Sequence, residues 1–192
     1  NTASRVVQRD IMGAVDYMKA NYPIDESRIY IVGVSLGGMM AATTAAKYPD
    51  VFAAVQQNRG ASKLDDWYWE SSSWFQGIFY SEVQGTPITN PFAYQTRSAY
   101  YLARNYRHLP ITITHPLSDT VIPLHHAIDL YNEIRRWVAD PSTVGIYTYP
   151  GDHGTSPTND GGRDAFDYFA RHTVVANPPD LTIRTDESKP YY

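Results

Sequence analysis

The chain contains no cysteine, so neither disulfides nor thiol chemistry can contribute to it, and the redox compartment leaves no trace in the sequence. An excess of basic charge is also missing. Sixteen Lys and Arg stand against 20 Asp and Glu, a formal net charge of −4, which gives no electrostatic footprint for nucleic acid or an anionic membrane. No apolar run approaches the roughly 20 residues of a membrane span, and the N-terminus is too polar for a signal peptide. Internal repeats and low-complexity tracts are absent too. What remains is 192 residues, 43% hydrophobic and 19% charged, which reads as one soluble globular domain with a real core. Aromatics make up 14%, and their placement is uneven.

The most informative stretch runs from Arg28 to Gly38. It opens as a β-branched apolar run, expected to be a strand buried on both faces, and breaks into Gly33-Val34-Ser35-Leu36-Gly37. Ala-rich sequence from Met39 to Lys47 follows and stops at Tyr48-Pro49, the pattern of a helix. Strand, sharp turn and helix are the context that a G-x-S-x-G nucleophile elbow requires. Gly33 and Gly37 are both expected to sit where a Cβ would clash with neighbouring backbone. The first turn of the helix would aim N–H groups and a partial positive charge at the serine hydroxyl.

Apolar residues Val7, Ile11, Ala14, Val15 and Met18 predict an amphipathic helix over Val6 to Asn21. Further strands are predicted over Val51–Val55, Leu109–His115 and Val144–Tyr149, with helices over His126–Val138 and Asp164–His172. Ile128, Tyr131, Ile134 and Trp137 are expected on one side of the first of these helices. The alternation argues for a parallel α/β sheet. From 58 to about 100 no clean period survives, and Trp67, Trp69, Trp74 and Phe75 crowd together, a lid-like insertion whose aromatics serve either a cap core or substrate binding. Residues 1–176 form the predicted domain; 177–192, with Pro178-Pro179, read as a linker into something else.

Functional groups in open parallel sheets gather at the carboxyl ends of strands. Three predicted strands lead there to Ser35, Asp119 and His153, in that chain order. A serine hydroxyl becomes a good nucleophile when a base takes its proton, the role expected of His153. A carboxylate on the other ring nitrogen fixes the tautomer, the role expected of Asp119, with Asp129 and Asp140 as rivals on less suitable elements. The Leu36 N–H would stabilise an oxyanion. His115 ends a strand and reads as a packed histidine, with lining of the site as the alternative, and His108 and His172 read as surface or helix-end residues. His125-His126 reads as a solvated helix start, because adjacent helical side chains diverge by about 100° and make a poor metal site. No metal and no cofactor is expected.

Together these residues resemble the α/β-hydrolase superfamily, and within it the prolyl-oligopeptidase-like and feruloyl-esterase or polyhydroxybutyrate-depolymerase-like group. The resemblance rests on Ile24-Asp25 through Tyr30, Gly33 to Gly38, Tyr48-Pro49-Asp50-Val51-Phe52-Ala53-Ala54-Val55, Asp119-Thr120-Val121-Ile122-Pro123 and Tyr149-Pro150-Gly151-Asp152-His153. It departs at His115-Pro116, where the group usually has His-Gly. The resemblance implies a serine hydrolase acting through an acyl-enzyme on small or polymeric carboxylic esters. A prolyl-oligopeptidase-type peptidase and an inactive scaffold are the alternatives. It also implies that strands preceding the elbow strand in the group lie outside this chain. The expectation is then four parallel strands with the elbow strand at one edge, a missing early segment or second chain completing the sheet, and weak activity from this chain alone.

Overall fold

The computed structural model describes residues 2–156 and 163–176. Its centre is a parallel sheet of four strands, β1 (Tyr30–Val34), β2 (Ala54–Asn58), β3 (Ile111–Pro116) and β4 (Val144–Tyr149), in that spatial order. The strand that leads into Ser35 is therefore an edge strand among the described residues, as the sequence implied. The helices are α1 (Arg5–Asn21), α2 (Leu36–Lys47), α3 (Leu64–Glu70), α4 (Ser73–Val83), α5 (Pro91–Gln95), α6 (His125–Arg135) and α7 (Arg163–Phe169), with 3-10 turns between some of them. No helix among the described residues is long and apolar enough to cross a membrane.

The register puts Ile31, Val55, Ile111 and Val144 side by side on one sheet face. That face packs with α2, α6 and the 3-10 segment Ala99–Arg107 into the main core, joined by Ile11, Met12 and Val15 of α1. At roughly 25 cal/mol per Å² of apolar surface, this dry interior supplies the main driving force for folding. The opposite face is thinly covered. Phe169 of α7 stacks on Tyr30 and, with Ala165, packs on Ala54, whereas Val32 and Val34 stand open to solvent. Burial of the elbow strand on both faces is thus corrected to burial on one.

Other boundaries move for local reasons. β2 begins at Ala54 rather than Val51, because Val51 N–H closes a turn onto the Tyr48 carbonyl. Gln56, Gln57 and Asn58 complete that strand although none is apolar. On α1 the inward stripe is Gln8, Ile11, Met12 and Val15, while Ala14 and Met18 face solvent. On α6 the inward stripe is His126, Ala127, Leu130 and Ile134, leaving Ile128 and Trp137 exposed. The insertion holds three short helices rather than irregular chain. The tail from 177 lies outside the described residues.

Lys47, at the end of α2, is mostly buried near Arg5 and Arg97, and burial pulls its pKa down from 10.5 to about 8. Folding therefore disfavours its protonated form. Below pH 8 the folded state carries the full cost of the buried ammonium; between pH 8 and 10.5 that cost is relieved as the folded form loses its proton. Lys47→Met is expected to raise stability at pH 7 by on the order of 2 kcal/mol. Urea unfolding should show the gap to wild type narrowing as pH rises from 8 towards 10.5. A gap that stays constant over that window would refute the account.

Candidate active site

Ser35 stands between β1 and α2 with φ 56° and ψ −123°, a backbone region sparsely populated by residues with a Cβ. The surroundings hold it there: Ser35 N–H donates to the Asn58 carbonyl at 2.8 Å, and Met39 N–H donates to the Ser35 carbonyl at 3.1 Å. Gly33 is needed as expected, since a Cβ there would lie 2.0 Å from the Gly37 carbonyl oxygen. Gly37 itself would meet nothing within 4 Å. The second tight position is Gly38 instead, whose Cβ would approach the Asn58 carbonyl oxygen to 2.8 Å. Leu36 opens α2, so its backbone N–H belongs to the first turn, where N–H groups lack intrahelical partners.

His153 lies in the turn after β4. Asp152 Oδ1 accepts from Gly154 N–H and Thr155 Oγ1, each at 3.0 Å, and so shapes that turn. Gly151 has φ 128°, and a Cβ on it would run into the Thr155 side chain. His153 Nε2 lies 2.7 Å from Ser35 Oγ, and its Nδ1 lies 2.7 Å from Asp119 Oδ2. Asp119 is buried, and its Oδ1 accepts from the backbone N–H groups of Val121 and Ile122, both at 2.9 Å. The three expected side chains thus form one unbroken relay. Asp140 instead caps its own 3-10 turn, and Asp129 faces His125.

Two further residues stand behind these three, and one of them, Arg59, is not singled out by the sequence. His115 is fully buried, with Nε2 2.9 Å from the Ile122 carbonyl and 3.4 Å from Asp119 Oδ2. Burial lowers its pKa, so it stays neutral and donates to the carbonyl that precedes Pro123. It packs, as expected, but directly against the acid. Arg59 follows β2 with φ 42° and lies almost wholly buried. Its Nη1 donates to Tyr149 Oη at 3.0 Å and to the Thr155 carbonyl, tying the histidine turn after β4 to the end of β2, across the intervening β3. An arginine at the carboxyl end of a predicted strand was the available signal, obscured because the strand boundary was placed too early.

The insertion's aromatics divide. Trp67 is 2% exposed, and its Nε1–H donates to the Val121 carbonyl at 2.8 Å, so the cap holds the acid loop from above. Its ring lies against Phe75 and Phe79, in a cluster that also touches Leu36. Trp67 therefore serves the cap core and offers no free face for substrate. Trp69 and Trp74 are largely exposed and Phe75 is half-buried. Trp67→Ala is expected to cost about 3–5 kcal/mol of stability, a large ring lost from a packed site. Trp67→Phe, which removes the N–H and part of the ring but keeps an aromatic in place, should cost less, about 1–2 kcal/mol for the hydrogen bond plus a smaller cavity cost. Urea titration measures both; equal small losses would show that Trp67 is not a packing anchor.

His125 and His126 do not form the solvated helix start expected of them. Their rings stack at 4.4 Å, and both Nε2 atoms face Glu70 at the end of α3. His126 is fully buried, and burial lowers its pKa to about 3, which keeps it neutral.

The chain is similar to several known proteins. The chain is 28% identical over 163 residues to acetylxylan esterase A of Emericella nidulans, covering 78% of this chain and 46% of that protein. It is 59% identical over 41 residues to poly(3-hydroxyalkanoate) depolymerase C of Paucimonas lemoignei, covering 21% of this chain and 10% of that protein. The chain thus spans less than half the length of these curated relatives. The acylaminoacyl peptidase of Pyrococcus horikoshii superposes with a TM-score of 0.66 at 27% identity, over 80% of this chain and 24% of that one. A model of the prolyl oligopeptidase family matches residues 2–173. With that match running over nearly all of its length, the chain belongs to the prolyl oligopeptidase family of α/β-hydrolase-fold serine hydrolases.

Proposed function

We propose that the chain carries the nucleophile, base and acid of an esterase that works through an acyl-enzyme. The observation that carries this reading is the Ser35–His153–Asp119 relay, with its two 2.7 Å links. Ser35 Oγ attacks the ester carbonyl carbon while its proton passes to His153 Nε2. The carbonyl oxygen becomes an oxyanion, stabilised by the Leu36 N–H and the positive end of α2. Collapse breaks the bond to the alkoxide, which takes the proton back from His153. Water then repeats the sequence on the acyl-enzyme and frees the acid. Asp119 holds the Nδ1–H of His153, and its two backbone donors keep that carboxylate oriented.

An ester substrate is favoured because the acetylxylan esterase, at 28% identity, matches over most of this chain. A peptidase is the second reading, supported by the family match and by the acylaminoacyl peptidase likeness. A fluorophosphonate probe should label Ser35, and p-nitrophenyl acetate should then turn over faster than acylaminoacyl or prolyl peptides. Labelling absent from a folded, complete form of the protein would favour an inert scaffold. Faster peptide cleavage would favour the peptidase.

A further inference from the structure

We infer that Glu70, His125 and His126 form a binding site for a divalent transition metal, zinc above all, that fastens the cap to the helix behind the acid loop. Neighbouring helical side chains normally diverge. Here His125 is the first residue of α6, and the two rings stack at an interplanar angle of 29° with both Nε2 atoms turned the same way. They address the two oxygens of one carboxylate, His125 at 2.8 Å from Oε1 and His126 at 3.1 Å from Oε2. One ligand atom from each of the three residues lies within 4.8 Å of the other two.

Two imidazole nitrogens and a carboxylate oxygen are a donor set that zinc favours, with a fourth position left for water. Zinc bonds of about 2.0–2.1 Å at tetrahedral angles need donors about 3.3 Å apart. The two His–Glu contacts, at 2.8 and 3.1 Å, open slightly to reach that spacing, and any pair nearer the 4.8 Å limit closes through side-chain adjustment of Glu70 and His125. The site also has an outer carboxylate. Asp129 Oδ2 lies 3.4 Å from His125 Nδ1, positioned to hold a proton there and leave Nε2 free as a ligand. His126 presents its Nε2 to the same carboxylate from a fully buried side chain. Its Nδ1 is buried without a partner among the described residues. The nearby ammonium, Lys63, is itself engaged, 2.8 Å from Asp66 and 3.9 Å from Asp129.

The location gives the metal its effect. Glu70 ends the same helix whose Trp67 grips the Val121 carbonyl, and His125 begins the helix just beyond Asp119. A metal bridging the two would lock the cap onto the loop that holds the acid. The test is zinc titration of the chelator-treated full chain, read by calorimetry and thermal melting, with cobalt(II) as a spectroscopic probe. One zinc per chain, a raised melting temperature and the visible absorption of four-coordinate cobalt are expected. Glu70→Gln and His125→Asn lie at half-exposed positions and should leave the fold intact by circular dichroism while abolishing stoichiometric binding. Asp129→Asn should weaken binding about 10–100-fold, as loss of an outer partner does. Absence of zinc binding at 100-fold molar excess would overturn the assignment. So would cobalt spectra and zinc affinity unchanged in Glu70→Gln and His125→Asn, which would locate the metal elsewhere.

Discussion

Ser35→Ala is expected to lower kcat for p-nitrophenyl acetate by about 10⁶ in a catalytically active form of the protein, with little change in KM. The size follows from the relay acting as a unit. Without Oγ, His153 has no proton to take and Asp119 nothing to orient, so adding His153→Ala to Ser35→Ala should cost almost nothing more. The residual rate would come from substrate binding and the helix N-terminus alone. Because Ser35 holds a strained backbone conformation, the small substitution keeps that strain and should leave stability nearly unchanged. Near-normal turnover by Ser35→Ala would end the hypothesis outright.

Asp119→Asn should lower kcat by about 10⁴, and the geometry says why so isosteric a change is so harmful. Oδ1 already accepts from two backbone N–H groups, those of Val121 and Ile122. The substituted amide must keep its oxygen on those donors, so its NH₂ turns towards His153 Nδ1. That forces Nδ1 to accept and moves the ring proton to Nε2, where it faces Ser35 Oγ and cannot serve as a base. Asp119→Ala, which imposes no tautomer, should be impaired no more than Asp119→Asn. Nitrogen NMR of the His153 ring reads the tautomer directly. An amide variant within about tenfold of wild type would contradict this assignment of the acid.

How much of this was legible beforehand depended on whether a residue's role was local. The elbow announces itself because strand, Gly-Val-Ser-Leu-Gly and Ala-rich helix are contiguous, and the β4 strand because Val144–Tyr149 has the composition of a strand. The Asp119 loop and the His153 turn were readable from their position after strands. The extent of β2 is hard to read because its last three residues are polar, and two of them have side-chain partners: Asn58 Oδ1 accepts from Tyr149 Oη at 3.2 Å, and Gln57 Nε2 donates to the Gly60 carbonyl at 3.0 Å. The helical cap was hidden because its inward residues face two surfaces at once, which blurs any period. Glu70 was invisible, since its significance lies in two histidines 55 and 56 residues away.

The position of β1 at the sheet edge bears on how steadily the nucleophile is held. An interior strand is clamped from both sides; β1 shares its ladder only with β2 among the described residues, and every other peptide group along it faces outward. Ser35 is steadied instead from below and behind, by the Asn58 carbonyl and by α2 lying against the Gly33 backbone. The amides of Tyr30–Val34 should therefore exchange with deuterium sooner than those of β3, which has a neighbour on each flank. In this chain by itself, motion at the nucleophile would then be governed by how closely Gly33 packs on α2 and Gly38 on the end of β2, and the alignment of the three side chains would degrade on warming before the rest of the sheet opens.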